Sequence, residues 1–116
     1  MTWGFVYFLT NPSMPGIVKI GMTTKHPRER MVELSRATAC PQPFELLAFF
    51  DHPTPEFAER SIHQELDQYR VNGAREFFAV PLPELQNVMR GWGDPHEGCF
   101  YDCYLDSLVA KIEAGL

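Results

Sequence analysis

Five side chains that could act together on a phosphodiester bond stand far apart in the chain, at positions Tyr7, Lys19, Arg30, Glu59 and His63. A phosphodiester carries a negative charge that repels hydroxide, so its hydrolysis needs cationic groups or a metal ion around the phosphoryl group and a route for removing a proton. Arginine, lysine, tyrosine and glutamate supply such groups. Because an unperturbed tyrosine has a pKa of about 10, it acts as a base at neutral pH only beside a cation or a metal-bound partner. Lys19 could supply that positive field to Tyr7.

The spacing of these residues indicates which of them can meet. Alternate side chains of a strand share a face, so only the register of a strand pair can bring Tyr7 beside Lys19. On a helix, Glu59 and the apolar Leu66 lie within about 20° of each other around the axis, which puts the carboxylate on the buried side. His63 follows Glu59 by one helical turn and falls on the same face. The sequence thus predicts an acid and an imidazole together at the edge of the core.

Short apolar runs predict the strands that must position these residues. β-Branched and aromatic residues form runs at 5–9 and 17–20, separated by turn-forming residues at 10–16, which is the pattern of an antiparallel hairpin. Both runs are apolar at nearly every position, so the hairpin should be central in the sheet or covered on both faces. A third, aromatic-rich strand is predicted at 44–50. Residues 76–80 fit either a short fourth strand or an extended cover over the core.

Helix signals account for most of the remaining chain. A proline in the first turn suits a helix at 27–37, and Thr54-Pro55-Glu56 is a strong start signal for a second helix that runs to about residue 70. A short helix is predicted at 83–90, and a final helix follows from apolar residues at helical spacing between 101 and 112. The predicted fold is therefore α/β, of the α+β type, with a small three-stranded antiparallel sheet and helices packed on it.

Composition and charge limit the classes of function. The 116 residues fit a single domain. Residues 1–40 hold five basic and two acidic residues, whereas residues 41–116 hold five basic and thirteen acidic ones. With a pI near 5.3, the chain lacks the basic character, a pI above about 9, of domains that coat nucleic acid by charge alone. Any contact with a polyanion should be small and confined to the basic segment.

Membrane and cysteine signals are weak. No apolar run approaches the roughly 20 residues that cross a bilayer, and the first residues lack the pattern of a signal peptide, so we expect a cytoplasmic protein without membrane contact. The cysteines Cys40, Cys99 and Cys103 cannot all pair within one chain and are expected to stay reduced. His96 near Cys99 and Cys103 could suggest zinc, but the spacing lacks a Cys-x-x-Cys pair and a fourth ligand. Zinc is therefore not predicted.

Five short motifs occur in the order typical of one nuclease superfamily. They are Phe5-Val6-Tyr7, Lys19-Ile20-Gly21, Arg30 followed by Leu34, the span from Glu59 to His63, and Glu76-Phe77-Phe78. Through these motifs the region of about 4–80 resembles the GIY-YIG nucleases. The match is closer to the branch found in phage open reading frames and fungal meiotically up-regulated proteins, in which the second motif reads Lys-Ile-Gly. The resemblance implies a GIY-YIG-like nuclease domain at 1–80, and we expect residues 81–116 to form a C-terminal helical extension packed on it.

The resemblance also implies roles for the matching residues. Tyr7 would be the general base on the attacking nucleophile, Arg30 would contact the scissile phosphate, and Glu59 would hold one divalent cation, Mg²⁺ or Mn²⁺. Lys19 stands where relatives have a second tyrosine, so it would either stabilise charge or also help deprotonation. The asparagine that closes the site in many relatives is missing, and Glu76-Phe77-Phe78 stands near its place.

The implied function is a metal-dependent endonuclease that acts on nucleic acid, with DNA favoured over RNA but not distinguished from it by the sequence. His63 joins the catalytic residues. Gly21, Lys25 and Arg28 are predicted to bind substrate, with Arg28 a rival to Arg30 for the phosphate contact. The aromatic C-terminal helix could in addition bind a protein partner.

Structural roles stay open for each of these residues. Tyr7 could be a core residue, Lys19 a charge that protects a strand edge, Arg30 part of a solvated helix face, and Glu59 with His63 a satisfied pair. Two other functions also stay open. One is a catalytically inactive module that binds nucleic acid or a protein, and the other is a regulatory or toxin-like domain that acts through protein contacts alone.

Overall fold

The computed structural model describes residues 3–37, 42–71, 73, 75–92 and 104–115. Within these residues, four strands form one sheet in the order β3-β1-β2-β4, with all neighbours antiparallel: β1 (Gly4–Thr10), β2 (Val18–Thr23), β3 (Glu45–His52) and β4 (Phe77–Phe78). The predicted α/β fold with an antiparallel sheet is confirmed. The sheet has four strands rather than three, because the segment that fitted either a strand or a cover is a short strand.

β4 is short, and backbone bonds on both of its sides hold it in place. It pairs with β2 through Val18 opposite Phe78 and Lys19 opposite Phe77, and the Ile20 N–H donates to the Glu76 carbonyl at 2.9 Å. On its other side, the backbone of residues 69–71 bonds to residues 77–79. A strand of two residues is too short to show a periodic sequence pattern. Its conformation is therefore set by these backbone bonds to residues far away in the chain.

In the described part of the chain, four helices pack on the sheet: α1 (Pro27–Ala37), α2 (Pro55–Glu65), α3 (Leu82–Trp92) and α4 (Tyr104–Glu113). α1 has the predicted bounds. α2 ends about five residues earlier than predicted, because the chain tightens into a 3-10 turn at Asp67–Tyr69 and then pairs with the β4 segment. Tertiary pairing there overrides the helical spacing of the sequence.

The central hairpin is covered on both faces, as the apolar runs predicted. One face carries Val6, Phe8 and Ile20, and apolar residues of α2, α3 and α4 complete the larger core there. The other face carries Tyr7 and Leu9, which pack in a smaller core with partly buried residues of α1. The helices after residue 80 therefore share the core of the sheet, while the proposed boundary at that residue stays a prediction.

The stripe of apolar residues on α4 divides between core and surface. Leu105 and Val109 are buried, whereas Tyr104 and Ile112 are exposed. A protein partner on this helix stays a prediction. Among the described residues, no helix combines the length and apolar character needed to cross a bilayer. Cys40, His96, Cys99, Tyr101 and Cys103 lie outside the described residues.

Candidate active site beside the second strand

The hairpin register places Tyr7 directly opposite Gly21 and Leu9 opposite Lys19. Opposed residues of an antiparallel pair share a face, so Tyr7, Gly21 and Lys19 all lie on the α1 side of the sheet. Tyr7 and Lys19 are thus diagonal neighbours rather than a directly opposed pair.

Gly21 lets the Tyr7 ring lie across β2. A methyl group at position 21 would sit 2.5 Å from Tyr7 Cζ and collide with the hydroxyl oxygen. Any side chain there would push the ring away. The structure therefore gives this motif glycine a positioning role toward Tyr7, and the predicted contact of Gly21 with substrate stays a prediction.

Tyr7 is almost fully buried, and its hydroxyl lies in a field of both signs. Burial is the main cause that raises its pKa, and the negative charge of Glu76 adds to the increase. The Arg30 guanidinium opposes them, through a hydrogen bond and its charge. We expected Lys19 to supply the positive field. In the structure the positive charge that acts on Tyr7 is that of Arg30, because the Lys19 ammonium is paired with Glu76.

Glu76 is the counterion of Lys19. The Lys19 ammonium forms an ion pair with Glu76 Oε2 and lies 4.9 Å from the centre of the Phe77 ring. Lys19 is only 8% exposed. A lysine so deeply buried needs an anionic partner.

Glu76 is the site residue that the sequence reasoning missed. The signal was present, since Glu76 begins the Glu76-Phe77-Phe78 motif and a charged residue on a central strand such as Lys19 calls for a counterion. The sequence could not show that the chain returns to β2 at this point.

Glu59 and His63 lie on the face of α2 that meets β2. His63 Nε2 is 2.9 Å from the Ile20 carbonyl oxygen, and His63 Nδ1 is 3.9 Å from Glu59 Oε1. A carbonyl only accepts, so Nε2 carries the proton in that bond. Burial is the main cause that lowers the His63 pKa, which favours the neutral ring with its Nδ1 lone pair facing Glu59.

The Glu59 carboxylate is partly buried, and charged neighbours act on its pKa in both directions. Burial raises its pKa most, the Glu76 charge raises it further, and Lys19 and Arg75 lower it. Within the described residues it accepts no hydrogen bond, and the neutral His63 ring approaches it at 3.9 Å without neutralising its charge. Such a carboxylate is suited to receive a cation.

The donor set fits a hard divalent cation better than zinc. Among the described residues, no three His, Cys, Asp or Glu side chains gather into a metal-binding group. Mg²⁺ is commonly held by one or two carboxylates together with waters and substrate phosphates, so a single carboxylate such as Glu59 is compatible with that ion. Zinc would require about four protein ligands in a structural site.

The cations at the start of α1 are partly engaged. Glu33 accepts from Lys25 Nζ at 2.6 Å and from Arg30 Nη1 at 3.2 Å, so one carboxylate bridges two predicted phosphate contacts. Arg28 is exposed on the same helix. The structure thus brings Tyr7 and Arg30 together at the centre, and leaves Lys25 and Arg28 nearer the surface.

A comparison with known proteins adds one match. Residues 4–93 match the family model described as the T5orf172 domain. The matched region runs from β1 through α3 and includes every candidate site residue. No curated protein and no solved structure matches the chain.

Proposed function

Because the chain belongs to the T5orf172 domain family, a phage-open-reading-frame domain of the GIY-YIG-like, nuclease-associated group, we propose that it is a metal-dependent endonuclease acting on DNA. The observation that carries the proposal is the convergence of Tyr7, Arg30 and Glu59 beside β2. Glu59 and Arg30 both act on the pKa of the Tyr7 hydroxyl, although the three residues come from β1, α1 and α2. Phosphodiester hydrolysis uses a base and positive charge at the phosphoryl group, and a carboxylate contributes by holding a metal ion.

Each of these residues has a part in the proposed reaction. The Tyr7 phenolate, formed when the hydroxyl loses its proton, accepts the proton of the attacking nucleophile, and Arg30 stabilises the negative charge that develops on the phosphoryl oxygens. Glu59 would hold one Mg²⁺ or Mn²⁺, which when bound supplies positive charge to the phosphate and leaving group. The Arg30 guanidinium also forms an ion pair with Glu33, so a bound phosphate would compete with that carboxylate.

Three further residues support this centre. His63, bonded to the Ile20 carbonyl, fixes the Glu59 end of α2 against β2. Lys19 adds charge near Glu59, and Glu76 orients the Lys19 ammonium. Lys25 and Arg28 remain proposed contacts to more distant phosphates.

The test is cleavage of supercoiled plasmid by the purified chain. We expect nicking with Mg²⁺ or Mn²⁺, none with a chelator, and none by Glu59→Gln at any concentration of either metal. Glu45→Gln, an exposed glutamate at the start of β3, serves as the matched control and should cut as wild type does. Cleavage that survives in Glu59→Gln would exclude Glu59 as the metal ligand.

One observation favours a second function, a nucleic-acid-binding module without catalysis. The Lys19 charge is already paired with Glu76, and the pKa of Tyr7 is raised, which makes a phenolate harder to form. Under this reading the wild-type chain would bind oligonucleotides but cut none in Mg²⁺ or Mn²⁺ at any pH. That result would replace the nuclease proposal by the binding module.

A further inference from the structure

Two adjoining cavities form one cleft along α2. The first, of about 290 Å³, is lined by Met22, Glu56, Glu59, Arg60, His63 and Arg75. The second, of about 420 Å³, shares Met22, Glu56 and Arg60 with it and extends to Phe57 at the start of α2. We call the joined space the α2 cleft. It runs from the candidate metal ligand Glu59 to an exposed aromatic ring.

The α2 cleft carries two arginines, Arg60 and Arg75. Within the described residues, the guanidinium groups of Arg60 and Arg75 make no hydrogen bond or ion pair, and both residues are exposed. Lys19, Lys25 and Arg30 are each paired with a glutamate. Glu56 and Glu59 also line the cleft, so its two carboxylates balance the charge of its two arginines. A cation bound to Glu59 would make the net charge of the cleft positive.

The far end of the α2 cleft offers an aromatic surface. Phe57 is 59% exposed, and its ring meets Trp92 edge-on at a centroid distance of 5.9 Å. Trp92 is itself held, since its Nε1 donates to Glu65 at 3.3 Å and its ring contacts His52. The Phe57 ring thus contacts Trp92 on one side, while more than half of the residue is exposed to solvent. Such a ring is a stacking platform for an unpaired base.

We propose that the α2 cleft binds an unpaired stretch of the nucleic acid, with Arg60 and Arg75 on its phosphates and Phe57 stacked on a base. The inference rests on the proposed function, which puts the scissile phosphate beside Glu59, and it names the class of substrate that this site takes. In a duplex each base is already stacked between its neighbours, so Phe57 gains a partner only where the strand is single or splayed.

The experiment measures binding in chelator, where no cleavage occurs. A labelled single-stranded DNA oligonucleotide and the duplex of the same sequence are titrated at several salt concentrations. Arg60→Gln and Arg75→Gln should each make the slope of log affinity against log salt shallower by about 0.7 for the single strand. Phe57→Ala should weaken single-strand binding by about 5- to 150-fold, the worth of one base stack, with the slope unchanged. It should affect duplex binding less.

Two substitutions on α4 are the matched controls. Lys111→Gln removes an exposed cation and Tyr104→Ala removes an exposed aromatic ring, and neither should move affinity or slope. Circular dichroism establishes that every variant is folded. The proposal is overturned if both arginine variants keep the wild-type slope, if Phe57→Ala binds as Tyr104→Ala does, or if the chain binds only duplex.

The binding readout also separates this proposal from the nuclease proposal. If the wild-type chain cuts no DNA but its binding responds to the three cleft substitutions, the binding role of the α2 cleft is supported and the nuclease proposal is overturned. If the chain cuts DNA but none of the three cleft substitutions changes its affinity, the nuclease proposal is supported and the binding role of the α2 cleft is overturned.

Discussion

The Tyr7 hydroxyl is held between groups that act on it in opposite directions. Burial and the Glu76 charge raise its pKa, and Arg30 lowers it. Since the net direction is upward from a value of about 10, the phenol is protonated at neutral pH. A reaction that uses Tyr7 as its base should therefore accelerate as pH rises through the neutral and alkaline range.

Tyr7→Phe removes this base while keeping a ring of the same shape in the smaller core. We expect turnover to fall by about 10²–10⁴, the usual worth of general acid–base catalysis, with DNA affinity little changed. The increase of rate with pH should disappear in the variant. Tyr69→Phe, which loses a hydroxyl that donates to Glu84, is the control and should keep the wild-type profile. An unchanged rate in Tyr7→Phe would assign Tyr7 to the core alone.

The raised pKa of Glu59 has a consequence for the stability of the fold. Its pKa is raised in the folded chain, so folding favours the protonated form. That contribution is fully present below the unfolded pKa and is lost as pH rises through the folded value. At neutral pH the ionised Glu59 therefore costs stability unless a cation neutralises it.

Glu59→Gln should accordingly melt at a higher temperature than wild type at pH 7 in chelator, and the difference should shrink as pH falls toward the ordinary range of glutamate. Mg²⁺ at 100 times its Kd should stabilise wild type by about 2.7 kcal/mol and leave the variant unmoved. Melting curves with and without Mg²⁺ measure both effects. Equal shifts in wild type and variant would place the cation elsewhere.

At the scale of elements, the hairpin positions Tyr7 through the space that Gly21 leaves on β2. Gly21→Ala should destabilise the fold by about 1–3 kcal/mol, as overpacking does, and reduce cleavage because the ring must move. Gly91→Ala is the control, because its added methyl group meets no described residue outside the neighbouring helix backbone within 4 Å and the site is in α3. We expect that variant to gain about 0.5–1 kcal/mol from helix propensity and to cut normally. Denaturant unfolding measures both free energies, and equal effects at the two glycines would contradict the role of Gly21.

Glu76, next to β4, brings a negative charge close to both Tyr7 and Glu59. The Glu76 charge raises the pKa of both Tyr7 and Glu59, so Glu76→Gln should lower both and move the pH–rate profile toward lower pH. The variant also leaves the buried Lys19 without its counterion, which should cost about 1–3 kcal/mol. Glu84→Gln, the partner of Tyr69, is the control for a lost surface carboxylate. A profile that falls in height without moving along the pH axis would show that Glu76 is only structural.

The elements that the sequence predicts well are those with local signals. The bounds of α1 follow from a proline and a short apolar period, and the central place of the hairpin follows from its two apolar runs. The end of α2, the strand β4 and the ion pair of Lys19 with Glu76 depend on contacts between residues far apart in the chain. Local periodicity contains no information on such contacts, and for the same reason the role of Arg30 beside Tyr7 could not be separated from that of Lys19.

At the scale of the whole molecule, charge sets the limit on nucleic-acid affinity. The chain has a net charge of −5, and thirteen of its fifteen acidic residues lie after residue 40. Lys19, Lys25 and Arg30 already neutralise carboxylates in the fold, so few cations remain to replace the counterions of a nucleic acid. Binding should be weak and locally steered rather than spread over the surface.

Affinity for DNA should therefore depend only modestly on salt. Each neutralised phosphate contributes about −0.9 to the slope of log affinity against log salt for duplex DNA and about −0.7 for a single strand. Roughly three contacts predict a slope of about −2 to −3. Glu33→Gln should make it steeper, because Lys25 and Arg30 lose the carboxylate that they share and both become available to phosphates. Binding isotherms of wild type and Glu33→Gln at several salt concentrations measure the two slopes. A wild-type slope beyond about −6 would require a contact surface much larger than the basic segment and the α2 cleft provide.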